Sequence, residues 1–202
     1  MDVNIFLEVR KNNKLIWRGK SNSPTKNLHY IISFPLQFHK YEFPVIDREG
    51  NEVKLKLEII SEEGRYWRRS FIWARTSVDT AVSPYKPTHD EPKNNFVGLG
   101  TGTTPTTLDT YELESPFAYF DITNISVTYD WENRQIVVLK TGAWENNTGE
   151  TKEIHEIGLY YKLWKNASEV IEFLVDRSVI ETPIEVKPNE SVTITYKIVY
   201  TF

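Results

Sequence analysis

From Val192 to Phe202 the chain switches character at every residue. Val192, Ile194, Tyr196, Ile198, Tyr200 and Phe202 fall on one side, and Thr193, Thr195, Lys197 and Thr201 on the other. Only an extended chain sorts side chains this way, because successive residues of a strand point to opposite faces while a helix spreads them around its circumference. The same period recurs elsewhere. Val53, Leu55, Leu57 and Ile59 alternate with Glu52, Lys54, Lys56 and Glu58, and Ile125, Val127, Tyr129 and Trp131 alternate with Asn124, Ser126, Thr128 and Asp130. Val3, Ile5, Leu7 and Val9 repeat it at the start. These segments predict strands with one face buried and one face wet, the signature of antiparallel sheets.

The punctuation agrees. Asn12-Asn13 separates two strand-like runs, and asparagine tolerates the positive φ of a tight hairpin. Glu62-Glu63-Gly64 separates Val53–Ile60 from Tyr66–Arg75, and Glu132-Asn133 separates Ile125–Trp131 from Arg134–Leu139. Asn146 to Gly149 and Lys187 to Asn189 mark further turns. The spacing of Leu28, Ile31 and Ile32 within Asn27–His39 is compatible with a helix, but Pro35 would interrupt it, so this stretch is read as a strand. Leu108–Leu113 is read as one or two helical turns with Asp109 near their start. Ser77 to Asn95 contains Pro84, Pro87 and Pro92, none of which can donate to a sheet ladder, and it predicts a long surface loop. The expectation is an all-β fold, an antiparallel, jelly-roll-like β-sandwich forming a single domain over residues 1–202 with a long loop at 77–95. Two sandwich subdomains, 1–76 and 96–202, are the alternative.

A chain of 202 residues can bury roughly 70% of the surface its unfolded form exposes, so it needs no metal or disulfide to hold it. It has no cysteine. The net charge is −4 and Lys and Arg are scattered, which argues against nucleic acid or an anionic membrane as the main partner. No apolar run approaches the length of a membrane-spanning helix, and the first twenty residues read as a charged strand pair rather than a signal peptide.

Signatures of chemistry are thin. In Gly98-Leu-Gly100-Thr-Gly102 the third glycine of a dinucleotide fingerprint would fall at Thr103, and Thr104-Pro105 follows where a helix should open. The run is read as a glycine-rich bend leaving a strand, with threonine hydroxyls bonding nearby backbone to make a rigid irregular loop. His155-Glu156 lacks the second histidine of a zinc protease, and on a strand the two point to opposite faces. His89 beside Asp90 and Glu91 reads as a solvated loop. No nucleophile elbow is present. The expectation is a protein that is not an enzyme and holds no cofactor or metal. Trp67, Arg69, Phe71 and Trp73 share one strand face, which would suit a sandwich core, a subunit interface or a platform for glycans. Sequons begin at Asn124, Asn146, Asn166 and Asn189, the last three in expected turns where a glycan could attach.

Four pieces of the second half occur in a distinctive order. Phe96-Val-Gly-Leu runs into Gly100-Thr-Gly-Thr-Thr-Pro105, then the polar Leu108-Asp-Thr-Tyr-Glu-Leu-Glu114, then an alternating strand and Glu156-Ile-Gly-Leu-Tyr160, then a closing strand after Pro188-Asn-Glu-Ser191. This order resembles the β-sandwich structural proteins of virions: tail, fibre and spike proteins of tailed phages, and tail or vertex-turret proteins of archaeal viruses. The resemblance covers chiefly residues 96–202, with Val45-Ile-Asp-Arg-Glu-Gly50 as a similar turn in the first half. It implies a mechanical role in a virion, in a tail adaptor, nozzle or fibre or in a turret. Homo-oligomeric contacts and other virion proteins would be its partners, and a host-surface glycan a further one. It carries over no catalytic residue. Where such proteins place glycine-rich loops inside the "Leu-Tyr" hairpin, this chain has Tyr161-Lys-Leu-Trp-Lys-Asn166, which leaves tail and turret both open. A glycan-binding host-recognition module is the alternative function.

Overall fold

The computed structural model of the chain describes residues 2–21, 25–28, 42–56, 61–62, 65–66, 95–164 and 170–201. These residues are nearly all strand, with one helical turn at 26–28. The strands are β1 (Asp2–Lys11), β2 (Lys14–Ser21), β3 (Glu42–Ile46), β4 (Glu52–Lys56), β5 (Ser61–Glu62), β6 (Arg65–Tyr66), β7 (Asn95–Gly100), β8 (Pro116–Asp121), β9 (Asn124–Asp130), β10 (Gln135–Glu145), β11 (Lys152–Trp164), β12 (Val170–Val186) and β13 (Ser191–Thr201). A five-stranded sheet has the order β2-β1-β13-β10-β9 and a four-stranded sheet the order β12-β11-β7-β8. Every pairing is antiparallel. Hairpins alternate between the two large sheets: β7–β8 in one, β9–β10 in the other, β11–β12 back in the first.

The turns form where the sequence places them. Asn12 and Asn13 have φ of 50° and 63°, the pair of positive values that a two-residue hairpin of right-handed twist requires. Asn189 takes φ 63° between β12 and β13. At the β3–β4 turn, Asp47 Oδ1 accepts from the amides of Glu49 (3.1 Å) and Asn51 (2.7 Å), and Gly50 supplies φ 84°.

β13 organises the five-stranded sheet. It pairs over its whole length with β1 on one side and β10 on the other, and Val192, Ile194 and Tyr196 have no exposed surface. Ile5, Leu7 and Val9 of β1 join them in one apolar cluster with Val97 and Leu99 of β7, Ile157 and Leu159 of β11, and Phe173 and Val175 of β12. The cluster therefore draws on both large sheets, as layers packed face to face would.

Three local expectations change. Leu108–Leu113 is not helical. It holds only a turn at 108–109, and its backbone is engaged elsewhere, with the Leu108 carbonyl accepting from Lys26 N (2.9 Å) and the Leu113 amide donating to Tyr160 Oη (3.1 Å). Gly98 and Gly100 are not in a bend: they lie inside β7, whose six residues are all buried, and the irregular segment begins at Thr101. In β9 the alternation gives the right orientation but not burial. Val127 sits opposite Val138 and Tyr129 opposite Ile136, on the core side, yet β9 is the outermost strand. Ile125, Tyr129 and Trp131 are 42%, 53% and 72% exposed. Of the 77–95 loop only Asn95 lies within the described residues, as does only the start of Asn27–His39.

Two ionisable groups sit inside this fold. Ser21 on β2 and Ser178 on β12 donate to the Asp176 carboxylate, which ties together the edge strands of the two sheets. Burial pushes the Asp176 carboxyl up to about 7, against the pull of those two hydroxyls. The Lys140 ammonium lies 4.2 Å over the Tyr161 ring, and burial brings it down to about 7. The signs oppose each other. From its ordinary 3.8 up to about 7, Asp176 binds a proton more readily folded than unfolded, so its contribution is lost as pH rises through that window. From about 7 to its ordinary 10.5, Lys140 binds a proton more readily unfolded, so stability is regained as pH rises. Scanning calorimetry should find the melting temperature falling from about pH 5 to about pH 7 and rising above it. Asp176→Asn should flatten the acid arm and Lys140→Met the alkaline arm. A wild-type melting temperature that climbs steadily between those first two values would contradict this.

Candidate functional site

The outer face of the four-stranded sheet is where the distinctive sequence segments meet. β11 runs along the middle of that sheet, and after an irregularity between Ile154 and Glu156 it turns Glu156, Gly158 and Tyr160 outward, away from Ile157 and Leu159 in the core. Glu156 is fully buried on that face. Its Oε1 accepts from the amides of Gly102 (3.0 Å) and Ser115 (2.8 Å), and its Oε2 accepts from the Glu114 amide (3.1 Å) and from Arg177 Nε (2.7 Å). A carboxylate has about four lone-pair sites, and all are filled by the chain itself. Arg177, on β12 opposite Gly158, is 3% exposed and also donates to the Thr104 carbonyl (2.8 Å) and to Glu114 Oε2 (3.3 Å). The Thr104 amide and hydroxyl hold the Glu114 carboxyl below its usual range, with Arg177 adding to the effect.

Gly100 and Gly102 are required by this carboxylate. A Cβ on Gly100 would stand 2.7 Å from the Ser115 carbonyl oxygen, and one on Gly102 would stand 2.6 Å from Glu156 Oε1 and 2.5 Å from Glu114 Cβ. Any larger residue would push the backbone away from the group it solvates. The threonines of the irregular segment bond less locally than expected: Thr104 Oγ1 donates to Glu114 Oε1 (2.7 Å) and Thr106 Oγ1 to the distant Arg177 carbonyl (3.1 Å), while Thr110 Oγ1 accepts from the nearby Thr107 amide (3.0 Å).

Beside this clamp lies a second cluster. Phe96 stacks on Tyr160 at 4.7 Å, with Leu113 and Leu174 closing a small apolar patch. Arg48, from the β3–β4 turn, lies 4.5 Å over the Tyr119 ring and 5.4 Å over Tyr160, and bonds Glu112 and Glu172 (2.9 Å to the latter). The Tyr160 hydroxyl donates to Glu112, as does Tyr119 (3.0 Å). Burial, then the Glu112 carboxylate, raises both phenols, Tyr119 to about 12. Lys162 pairs with Glu172 (2.9 Å) and lies 4.7 Å over Phe96. Phe96, Tyr119, Phe120, Asp121 and Lys162 line a shallow open cleft of about 240 Å3, below the size of sites that enclose a ligand. Among the described residues no group of His, Asp and Glu is arranged to hold a metal ion.

Of the residues singled out from sequence, Trp67, Arg69, Phe71, Trp73 and Asn166 lie outside the described residues. Asn124 and Asn189 are exposed, as glycan attachment needs. Asn146 is not: its side chain is buried, its Nδ2 donates to the carbonyls of Glu150 (2.7 Å) and Val186 (2.8 Å), and Thr148 occupies its Oδ1. In the folded chain it organises the β10–β11 turn and has no hydrogen left for a glycan. Trp17 and Trp144 pack against the core, while Trp131 is exposed. Sequence reading did not find Glu156, Arg177 or Arg48 as a cluster. One signal was present: Asp176-Arg177 interrupts the apolar run from Phe173 to Ile180, and charges inside such a run are paired or hydrogen-bonded.

The described structure contains no helix long and apolar enough to cross a membrane. No protein family, curated protein or solved structure matches this chain.

Removing Glu156 should leave the buried Arg177 with only the longer contact to the partly exposed Glu114 carboxylate and strand three amides. Glu156→Ala is expected to lower the unfolding free energy by about 3–5 kcal/mol in urea titrations. Gly102→Ala should destabilise through the same contact. A loss under about 1 kcal/mol for Glu156→Ala would show that the carboxylate does not hold the segment down.

Proposed function

We propose that this chain is a structural component of a virus particle, part of a tail (adaptor, nozzle or fibre) or of a vertex turret, acting by assembly with copies of itself and with other virion proteins. The observation that carries this reading is where large apolar side chains meet solvent. Among the described residues they are Leu15, Ile16, Leu108, Tyr111, Tyr119, Ile125, Tyr129 and Trp131. Five of these eight sit on β2, on β9 or in the turn that ends β9, the outer strands of one sheet. Apolar surface gathered at sheet edges suits docking of another chain. The strongly charged groups tell the same story from the other side. The four acceptor positions of Glu156 are spent on the chain's own donors, and Arg48, Glu112, Glu172 and Lys162 bond one another, so the motif-bearing segments act as a clamp.

The order of segments resembling virion proteins gains a physical meaning in this reading. Glycine-rich turn, Leu108–Glu114 and Glu156–Tyr160 come together as one hydrogen-bonded unit, which is a scaffold device. A particle-borne chain of this kind should appear in purified virions in many copies, counted by quantitative mass spectrometry. A copy number set by five-fold symmetry would favour vertices, and one set by three- or six-fold symmetry a tail. Absence from particles would defeat the reading.

A further inference from the structure

Among the described residues β2 and β9 are the outer strands of the five-stranded sheet, and the two edges differ in charge. From Lys14 to Lys20 the β2 edge holds Lys14, Arg18 and Lys20 and no acidic residue, while β9 and the turn that ends it hold Asp130 and Glu132 against the single basic Arg134. Each edge also exposes apolar side chains, Leu15 and Ile16 on one and Ile125, Tyr129 and Trp131 on the other. The strands match in length, eight residues against seven. Four antiparallel junctions separate them, so β2 and β9 run in the same direction.

We infer that β9 of one copy docks against β2 of the next, continuing the five-stranded sheet from subunit to subunit through a head-to-tail contact between unlike edges. This inference rests on the assembly reading above and names its surface. Like-edge contacts would set the three basic groups of β2 against their own copies, or Asp130 and Glu132 of β9 against theirs, which costs association free energy. Only the unlike contact sets basic against acidic while covering both apolar stripes. With the core faces of both copies kept on the same side of the continued sheet, the new strand pair is parallel, and the contact is heterologous: it closes a ring if the rotation permits and otherwise extends a filament.

Details of each edge fit. Asp130 keeps its charge, its carboxylate held by the Asn133 side chain (2.8 Å) and amide (3.0 Å) at the strand's end. Arg18 reaches Glu8 on β1 (2.6 Å) and remains 60% exposed. The irregularity in the β1–β2 pairing between Val9 and Arg10, together with the lysines, discourages indiscriminate strand addition and leaves β2 open to an acidic partner. The β12 edge of the other sheet is already occupied in part: its Leu174 carbonyl accepts from Thr25 Oγ1 (2.8 Å) and Asn27 Nδ2 (2.9 Å), and its Val175 carbonyl from the Thr25 amide (3.3 Å).

Sedimentation velocity of the full chain at about 50 mM salt tests this, because exposed charge pairs act over longer range at low ionic strength. The wild-type chain should associate and loosen as salt is raised. Tyr129→Lys, at an exposed position that leaves the fold intact by circular dichroism, should give monomer. Glu132→Lys and Lys20→Glu should each weaken association roughly fivefold, and the two together in one chain should recover most of it. Association unchanged in Tyr129→Lys overturns the edge contact and leaves the assembly reading standing, since copies would then meet through another surface. A wild-type chain that stays monomeric at every concentration reached also overturns it, while the particle count judges the virion reading separately.

Discussion

A carboxylate buried away from solvent must find its donors in the protein, and Glu156 finds all of them in the segments around it. The amides of Gly102, Glu114 and Ser115 and the guanidinium of Arg177 converge on it. The long connection between β7 and β8 is thereby laid flat on the outer face of the four-stranded sheet. That placement in turn brings Leu113 over Tyr160 and Glu112 within reach of Arg48 and both tyrosine hydroxyls. Local order here does not come from helix or sheet ladders. It comes from an ion that the fold cannot leave unsolvated.

The same economy explains the side chains around it. Asn27 offers Ile46 both an acceptor (2.7 Å) and a donor (2.8 Å), as a neighbouring strand would, and with its second amide hydrogen reaches Leu174. The β3–β4 hairpin is fastened to β12 by that residue and by Arg48, and its Val45 is buried in the main apolar cluster. Outer-face polar side chains thus perform the joining that apolar contact performs between the sheets, and they do so with fixed geometry. Among the described residues, most of the large apolar side chains left exposed lie on β2, on β9 or in the turn that ends β9.

How much of this could be read from the residues differs from element to element. β13 was legible in full because both of its neighbours and the layer beneath it are present, so its apolar side has no choice but to be buried. β9 carries an equally clean alternation and the same inward orientation, but nothing in a linear pattern says that it is the last strand of its sheet. The Asn12-Asn13 hairpin was legible because turn type depends on two φ angles that asparagine itself tolerates. Leu108–Leu113 was misread as helix because its hydrogen bonds go to Lys26 and Tyr160, residues far away in sequence. Asn146 looked like an open turn residue for a related reason: the carbonyls that claim its amide belong to Glu150 and to Val186 on a different strand.

The sequence by itself determined that the chain forms antiparallel strands, where several hairpins turn, and which side of each strand is apolar, because these depend on neighbours one or two residues apart. Only the tertiary structure decided that Gly100, Gly102, Glu114, Glu156 and Arg177 form one buried unit, and that β2 and β9 are the strands left at the edges with unlike charge. Those outcomes depend on which strands become neighbours across a sheet and between sheets, and burial and solvation are properties of that packing, shared by residues as far apart as Gly102 and Glu156, 54 positions along the chain.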